Sequence, residues 1–172
     1  MKTAYLDTIE DAPGPFVFAV DEAGRLLALK FLDGNYDLTI EQELARVGYQ
    51  MAHDARRTAQ ARTQLLEYCA GKRQTFDLPL ALVGTDWQKM IWRTLTEIPF
   101  GETRAYGEIA AQVGRPLAAR AVGRANATNP IPLVIPCHRL IGANGALTGF
   151  GGGLHIKKRL LAHEARVRAN GR

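Results

Sequence analysis

Two short apolar runs, Phe16 to Val20 and Leu26 to Phe31, flank the polar stretch Asp21 to Arg25, with Gly24 where a tight hairpin needs a left-handed backbone. The pattern predicts an antiparallel hairpin, and Tyr5 to Ile9 is a candidate third strand. Thr39-Ile40-Glu41-Gln42 has the spacing of a capping box, which predicts a short helix that Gly48 closes. A longer helix is expected from about Ala55 to Ala70, ending at Gly71, with Leu65, Leu66 and Cys69 on its apolar face. Cys69 there reads as a small buried hydrophobe, and His53, alone in a polar stretch, is assigned no function.

Thr75 to Gly84, with Pro79 inside it, reads as a linker, and the rhythm changes after it. Thr85-Asp86-Trp87-Gln88 is a second capping box, followed by Met90, Ile91, Leu95 and Ile98 at helical intervals until Pro99 and Gly101 stop them. Tyr106 to Val113 predicts a short helix and Gly114-Arg115-Pro116 a turn; Leu117 to Ala127 predicts a second helix entered at its proline. Two short helices joined in this way have the outline of a helix-turn-helix. Asn144-Gly145 is a turn, Gly149-Phe150-Gly151-Gly152-Gly153 a glycine run whose backbone N–H groups can come close to a ligand, a phosphate or a base, and Leu154 to Ala165 a last helix with Leu154, Leu160 and Leu161 inward and Lys157, Lys158 and Arg159 on a solvated face. The expected fold is therefore α/β (α+β): a small N-terminal α/β domain with an antiparallel sheet over residues 1–80, and a mainly helical domain with a helix-turn-helix over residues 81–172.

Charge changes the picture where composition does not. The 47% apolar content is ordinary for a globular chain, and the net charge is +5. That total conceals a split, with a balance of −3 over residues 1–100 and +8 over residues 101–172. A concentrated positive field favours a polyanion, nucleic acid above all, because neutralising phosphates releases counterions. No run approaches the roughly 20 apolar residues that cross a bilayer. The start of the chain has no signal-peptide pattern, so the expected location is cytoplasmic, with no membrane partner. Only Cys69 and Cys137 are present, far apart, which excludes a disulfide framework or a cysteine-rich zinc site.

The basic half also holds the candidate chemistry. Ile135-Pro136-Cys137-His138-Arg139 lies between Asn129-Pro130-Ile131-Pro132 and Gly142-Ala143-Asn144-Gly145, so proline and glycine hold a thiol and an imidazole on a stiff turn. A thiol acts as a nucleophile in its thiolate form; an imidazole can take its proton, and a carboxylate can orient the imidazole. His163-Glu164 supplies such a carboxylate if the fold returns it to His138. In the expected second helix, Ala118 to Ala125 combines small residues with Arg120 and Arg124, a composition suited to close approach to a narrow minor groove and equally to tight helix packing.

Taken together, Arg120-Ala121-Val122-Gly123, Asn129-Pro130, Ile135-Pro136-Cys137-His138-Arg139 and Gly152-Gly153 resemble the O6-alkylguanine-DNA alkyltransferases, the methylated-DNA-protein-cysteine methyltransferases, from about Thr85 to Glu164. The resemblance implies a single-use repair enzyme that moves the alkyl group of O6-alkylguanine, with O4-alkylthymine a further candidate, onto Cys137. His138 then matches the base acting through a water, Glu164 the carboxylate that orients it, Asn129 the hinge residue, and Tyr106 the phenol directed at guanine N3. Arg120 matches the finger that fills the gap left by a flipped nucleotide, beside Ala119, Ala121, Gly123 and Arg124 as the DNA-binding helix. Leu140, Phe150 and Gly151 fall at the base pocket, although Phe150 stands where many members have tyrosine and Gly151 where others have serine or alanine.

The implied partner is double-stranded DNA containing alkylated guanine; the protein is expected to be a monomer in solution, with cooperative binding along DNA left open. No cofactor and no metal is expected. Three other readings compete: a lesion-binding protein that does not react, a regulatory helix-turn-helix protein, and a cysteine hydrolase built on Cys137, His138 and Glu164. The first replaces the acceptor cysteine, which is present here; the second needs a dimer interface and long base-reading side chains; the third would turn over many times.

Overall fold

A computed structural model describes residues 1–171 of the 172-residue chain. It divides into two compact units, one spanning Met1–Leu82 and the other beginning at Val83. In the first, strands β1 (Lys2–Ile9), β2 (Phe16–Val20), β3 (Leu26–Phe31) and β4 (Tyr49–Ala52) form one sheet in the order β3-β2-β1-β4. The expected hairpin is there, with Phe16 opposite Phe31 and Gly24 at φ 79°, and β1 adds antiparallel to β2. β4 was not anticipated, and it pairs parallel to β1.

Every residue of β2 and β3 is buried. Strands covered on both faces read as continuous apolar runs instead of alternations, which is how these two appear in the sequence. Helix α1 (Ile40–Arg46) contributes Ile40 and Leu44 to the cluster of Ala4, Leu6, Val17, Ala19, Leu27 and Ala28 on one face. Its predicted capping box forms, Thr39 Oγ1 accepting from the Gln42 N–H at 3.2 Å and Gln42 Oε1 from the Thr39 N–H at 2.9 Å. Helix α2 (Ala55–Cys69) approaches β1 through Thr58 and Arg62, which donate to the Asp7 carboxylate at 3.1 and 3.0 Å. On α2 the buried positions are Thr58, Ala61, Gln64, Leu65 and Tyr68, so of the three residues expected on the apolar face Leu65 is buried, while Leu66 and Cys69 lie half-buried at its edge. Thr75 to Gly84 is not a free linker throughout: the Leu26 N–H donates to the Pro79 carbonyl at 2.8 Å and the Ala81 N–H to the Leu26 carbonyl at 2.9 Å.

The second unit contains α3 (Asp86–Leu95), β5 (Arg104–Ala105), α4 (Tyr106–Gln112), α5 (Ala119–Ala127), a 3-10 turn at Cys137–Arg139, β6 (Leu140–Ile141) and α6 (Leu154–Asn170). The Thr85 capping box forms as predicted. α5 begins at Ala119, two residues later than expected, and Leu117 is left in the preceding turn with its side chain fully exposed. Two tryptophans of α3 fix the opposite face of α5: Trp87 Nε1 donates to the Ala121 carbonyl at 3.2 Å and Trp92 Nε1 to the Ala125 carbonyl at 2.8 Å. Val122, Ala125 and Asn126 are buried on that side, so Arg120 and Arg124 are exposed. β5 and β6 pair in parallel, Arg104 with Leu140 and Ala105 with Ile141. This two-residue ribbon brings the start of α4 beside the chain that leaves the 3-10 turn. No helix among the described residues is long and apolar enough to cross a membrane.

Candidate active site

Asn129 organises the approach to Cys137. Its Nδ2 donates to the Ile135 carbonyl at 2.8 Å and its Oδ1 accepts from the Ile131 N–H at 2.9 Å, so one side chain closes the loop of prolines from both directions. Within that loop Leu133 is held at φ 76°, a left-handed conformation uncommon for a side chain of its size, and it is 1% exposed. Cys137 opens the 3-10 turn and is buried. Burial pushes its thiol up to about 11, against the smaller downward pull of an Asn129 hydrogen bond and the positive charge of Lys157. At neutral pH the group is therefore a thiol that needs a base.

His138, Arg139 and Glu164 meet as one buried network, and here α6 closes the gap that the sequence left open. His138 Nε2 lies 2.6 Å from Glu164 Oε2, and neither side chain has meaningful exposure. Glu164 Oε1 accepts from Arg139 Nε at 2.8 Å and from the Gly101 N–H at 3.0 Å, while Arg139 also donates to the Ile98 carbonyl at 2.7 Å. Burial would raise the Glu164 carboxyl, but hydrogen bonds and positive charge from His138 and Arg139 outweigh it and hold the group far below the usual carboxylate range. Burial is the largest influence on His138 and lowers it, with Glu164 pulling the other way. A neutral imidazole facing an ionised carboxylate carries its hydrogen on Nε2. Nδ1 is then the basic nitrogen, and it is buried with no hydrogen-bond partner among the described residues.

The other predicted residues fall into two groups. Tyr106, at the start of α4, donates its hydroxyl to the Thr148 carbonyl at 3.1 Å, and a Cβ at Gly123 would sit 3.5 Å from its ring. Gly123 thus faces the phenol from α5, while Arg120 and Arg124 point to solvent and Ala119 and Ala121 are half-buried. Leu140 is buried, Phe150 half-buried and Gly151 exposed; a Cβ on Gly151 would stand 3.1 Å from the Ala127 carbonyl oxygen.

Lys157 departs most from expectation. Read as part of a solvated face, it is fully buried, and its ammonium donates to the Leu140 and Thr148 carbonyls, the latter at 2.8 Å. The signal was in the helical period: Ile156, Lys157, Leu160, His163 and Glu164 are the buried stripe of α6, whereas Leu154 is 43% exposed. Trp87, Trp92, Thr148 and Gly101 were also missed; a donor to a backbone carbonyl or a backbone donor to a distant carboxylate leaves no mark in a linear pattern.

A family model described as "6-O-methylguanine DNA methyltransferase, DNA binding domain" matches residues 86–166. The methylated-DNA–protein-cysteine methyltransferase of Methanosarcina barkeri is 46% identical over 93% of this chain and 96% of its own length. The protein of the same name from Mycolicibacterium paratuberculosis is 50% identical over 84% of each chain. The crystal structure of Mycobacterium tuberculosis OGT in complex with DNA superposes with a TM-score of 0.82 at 43% identity, covering 95% of this chain and 94% of that one. The buried pair of Glu164 and His138, the latter next to Cys137 in the chain, thus sits in a fold shared with O6-methylguanine methyltransferases. The chain belongs to the methylated-DNA–protein-cysteine methyltransferase family.

Proposed function

We propose that the protein repairs DNA by direct reversal, taking the alkyl group of O6-alkylguanine in duplex DNA onto Cys137 Sγ, once per molecule. The observation that carries this reading is the buried His138, its Nε2 bound to Glu164 and its Nδ1 bare, directly beside the cysteine in the chain. His138 Nδ1 takes the thiol proton through a water, and Glu164 stabilises the imidazolium that forms. The sulfur then attacks the alkyl carbon in line; the S–C bond forms as the C–O6 bond breaks, and the bonding pair leaves with the guanine. Tyr106 donates to guanine N3, and the backbone N–H of Gly151 donates to O6, where negative charge develops. The thioether product does not hydrolyse, so no second turnover follows.

The O6 substituent is unreachable inside the stack, so the nucleotide must be extruded. In this reading α4 and α5 act as a helix-turn-helix on the minor groove: Arg120 fills the vacated space, Arg124 meets phosphate, and Ala119, Ala121 and Gly123 allow close approach. Leu140, Phe150 and Gly151 border the flipped base, and the loss of a hydroxyl at Phe150 and a side chain at Gly151 alters pocket width. Residues 1–80 form the accessory domain and 81–172 the reacting one. O4-alkylthymine is a second candidate substrate, and a monomer in the cytoplasm fits a single-use repair protein.

The test is to mix the protein with a duplex containing O6-methylguanine and to weigh its peptides. One methyl group on the Cys137 peptide, at a stoichiometry of one, is expected. Multiple turnover or an unmodified peptide overturns the reading.

A further inference from the structure

Lys157 is a buried titratable group that the transfer chemistry above leaves without a task. It lies in the first turn of α6, where the helix dipole disfavours a cation, and burial pushes its ammonium below the usual lysine range. A residue under both penalties needs a compensating set of contacts, and two backbone carbonyls supply it. They are the carbonyls of Leu140 and Thr148, the two ends of the loop that contains the Asn144-Gly145 turn. Between these ends the loop closes on itself, the Gly142 N–H donating to the Ala146 carbonyl at 2.8 Å and the Gly145 N–H to the Gly142 carbonyl at 2.9 Å. The Thr148 carbonyl also accepts from the Tyr106 hydroxyl at 3.1 Å. A carbonyl oxygen has two lone pairs, and here lysine and tyrosine take one each.

We propose that Lys157 is a positioning residue of the alkyl transfer, its ammonium joining both ends of the 140–148 loop to α6 and setting, through the Thr148 carbonyl it shares with Tyr106, where the phenol points. The inference rests on the alkyl-transfer reading and assigns that reaction a residue it did not include. With the cation in place, Thr148 cannot turn away, and the phenol waits on a carbonyl already engaged by a stronger donor, ready to move to the base. The same charge acts on Cys137, favouring its thiolate. The other groups that set the charge there are His138, Arg139 and Glu164, with the Asn129 side chain a neutral donor.

The experiment is a double-mutant cycle on the full chain, with single-turnover methyl transfer from an O6-methylguanine duplex measured across pH and melting followed by circular dichroism. Lys157→Met should slow transfer by about 10²-fold and move the rise of rate with pH to higher pH, and Lys157→Arg should restore most of the lost rate and return the profile. Adding Tyr106→Phe to Lys157→Met should cost little beyond the larger single effect, because both act through one carbonyl. Full additivity, or a Lys157→Met protein with the parent's rate and pH profile, overturns the inference. Should Lys157→Met fail to fold, Lys157→Gln, which loses the charge and keeps a polar donor, runs the same cycle with Tyr106→Phe, and additivity there overturns it equally. A parent protein that takes up no methyl group would instead overturn the functional reading beneath it.

Discussion

Cys69 is half-buried and Cys137 buried, and burial raises both thiols, to about 12 and about 11. What differs is the company. Cys69 ends α2 at the margin of an apolar face, and the negative charge of Asp11 raises it further. Cys137 is surrounded by groups that oppose burial, namely Asn129 and Lys157, and has a histidine beside it with one nitrogen free to accept a proton. Desolvation alone therefore makes a thiol inert. Desolvation beside a base and compensating groups is the setting that the proposed transfer requires.

That contrast is broken most directly by exchange of each sulfur for oxygen. Cys137→Ser should remove methyl transfer altogether while leaving duplex binding in place, and Cys69→Ser should leave the rate unchanged; a gel-shift titration beside a peptide-mass assay reads both. Loss of binding along with transfer in Cys137→Ser would contradict the separation of phosphate contacts from the reacting sulfur.

The next effect concerns the network behind Cys137. Glu164→Gln leaves His138 without its carboxylate and Arg139 with an unpaired buried charge, so about 3–5 kcal/mol of stability should be lost, read by denaturant unfolding. The parent's stability should itself depend on acid. Glu164 is held low in the folded state, so its contribution is fully present above the unfolded carboxyl's pKa of about 4.3 and is lost as pH falls below it. Glu164→Gln should flatten that part of the curve of melting temperature against pH, and an unchanged slope would sink the assignment.

Activity should follow His138 in the same direction. Burial lowers its pKa, so the neutral base persists to below pH of about 6.5, and the transfer rate should hold there before it declines. A decline that begins well above neutrality would mean that the imidazole is not the base.

The smallest effect is expected on the DNA side. Arg120→Ala should slow repair in a duplex by roughly tenfold, a little over 1 kcal/mol, yet leave reaction with the free base nearly unchanged, if, as proposed, Arg120 acts on flipping and not on displacement. Equal losses on both substrates would contradict its role.

Much of the architecture was legible because it is written locally. The hairpin around Gly24, both capping boxes and the apolar stripe of α3 are short-range patterns of side chain and backbone. β4 was not legible, since the residues of Tyr49–Ala52, three half-buried and Gln50 exposed, owe their extended form to pairing with β1. The candidate site divides along the same line. Pro136-Cys137-His138-Arg139 stands out in any reading of the chain, whereas Lys157 looks like its exposed neighbour Lys158 until the helix is rotated into place.

By itself, then, the sequence determined the thiol, its adjoining imidazole, the stiff prolines that present them and the basic field around them, because these depend on residue identity and near neighbours. Only the tertiary structure decided that Glu164, 26 positions beyond His138, would be its partner, that Arg139 and Gly101 would hold that carboxylate, and that Lys157 would be buried against the 140–148 loop. The reason is physical: a buried charge is tolerated only where several partners converge on it, and convergence is a property of packed elements that no single stretch of chain possesses.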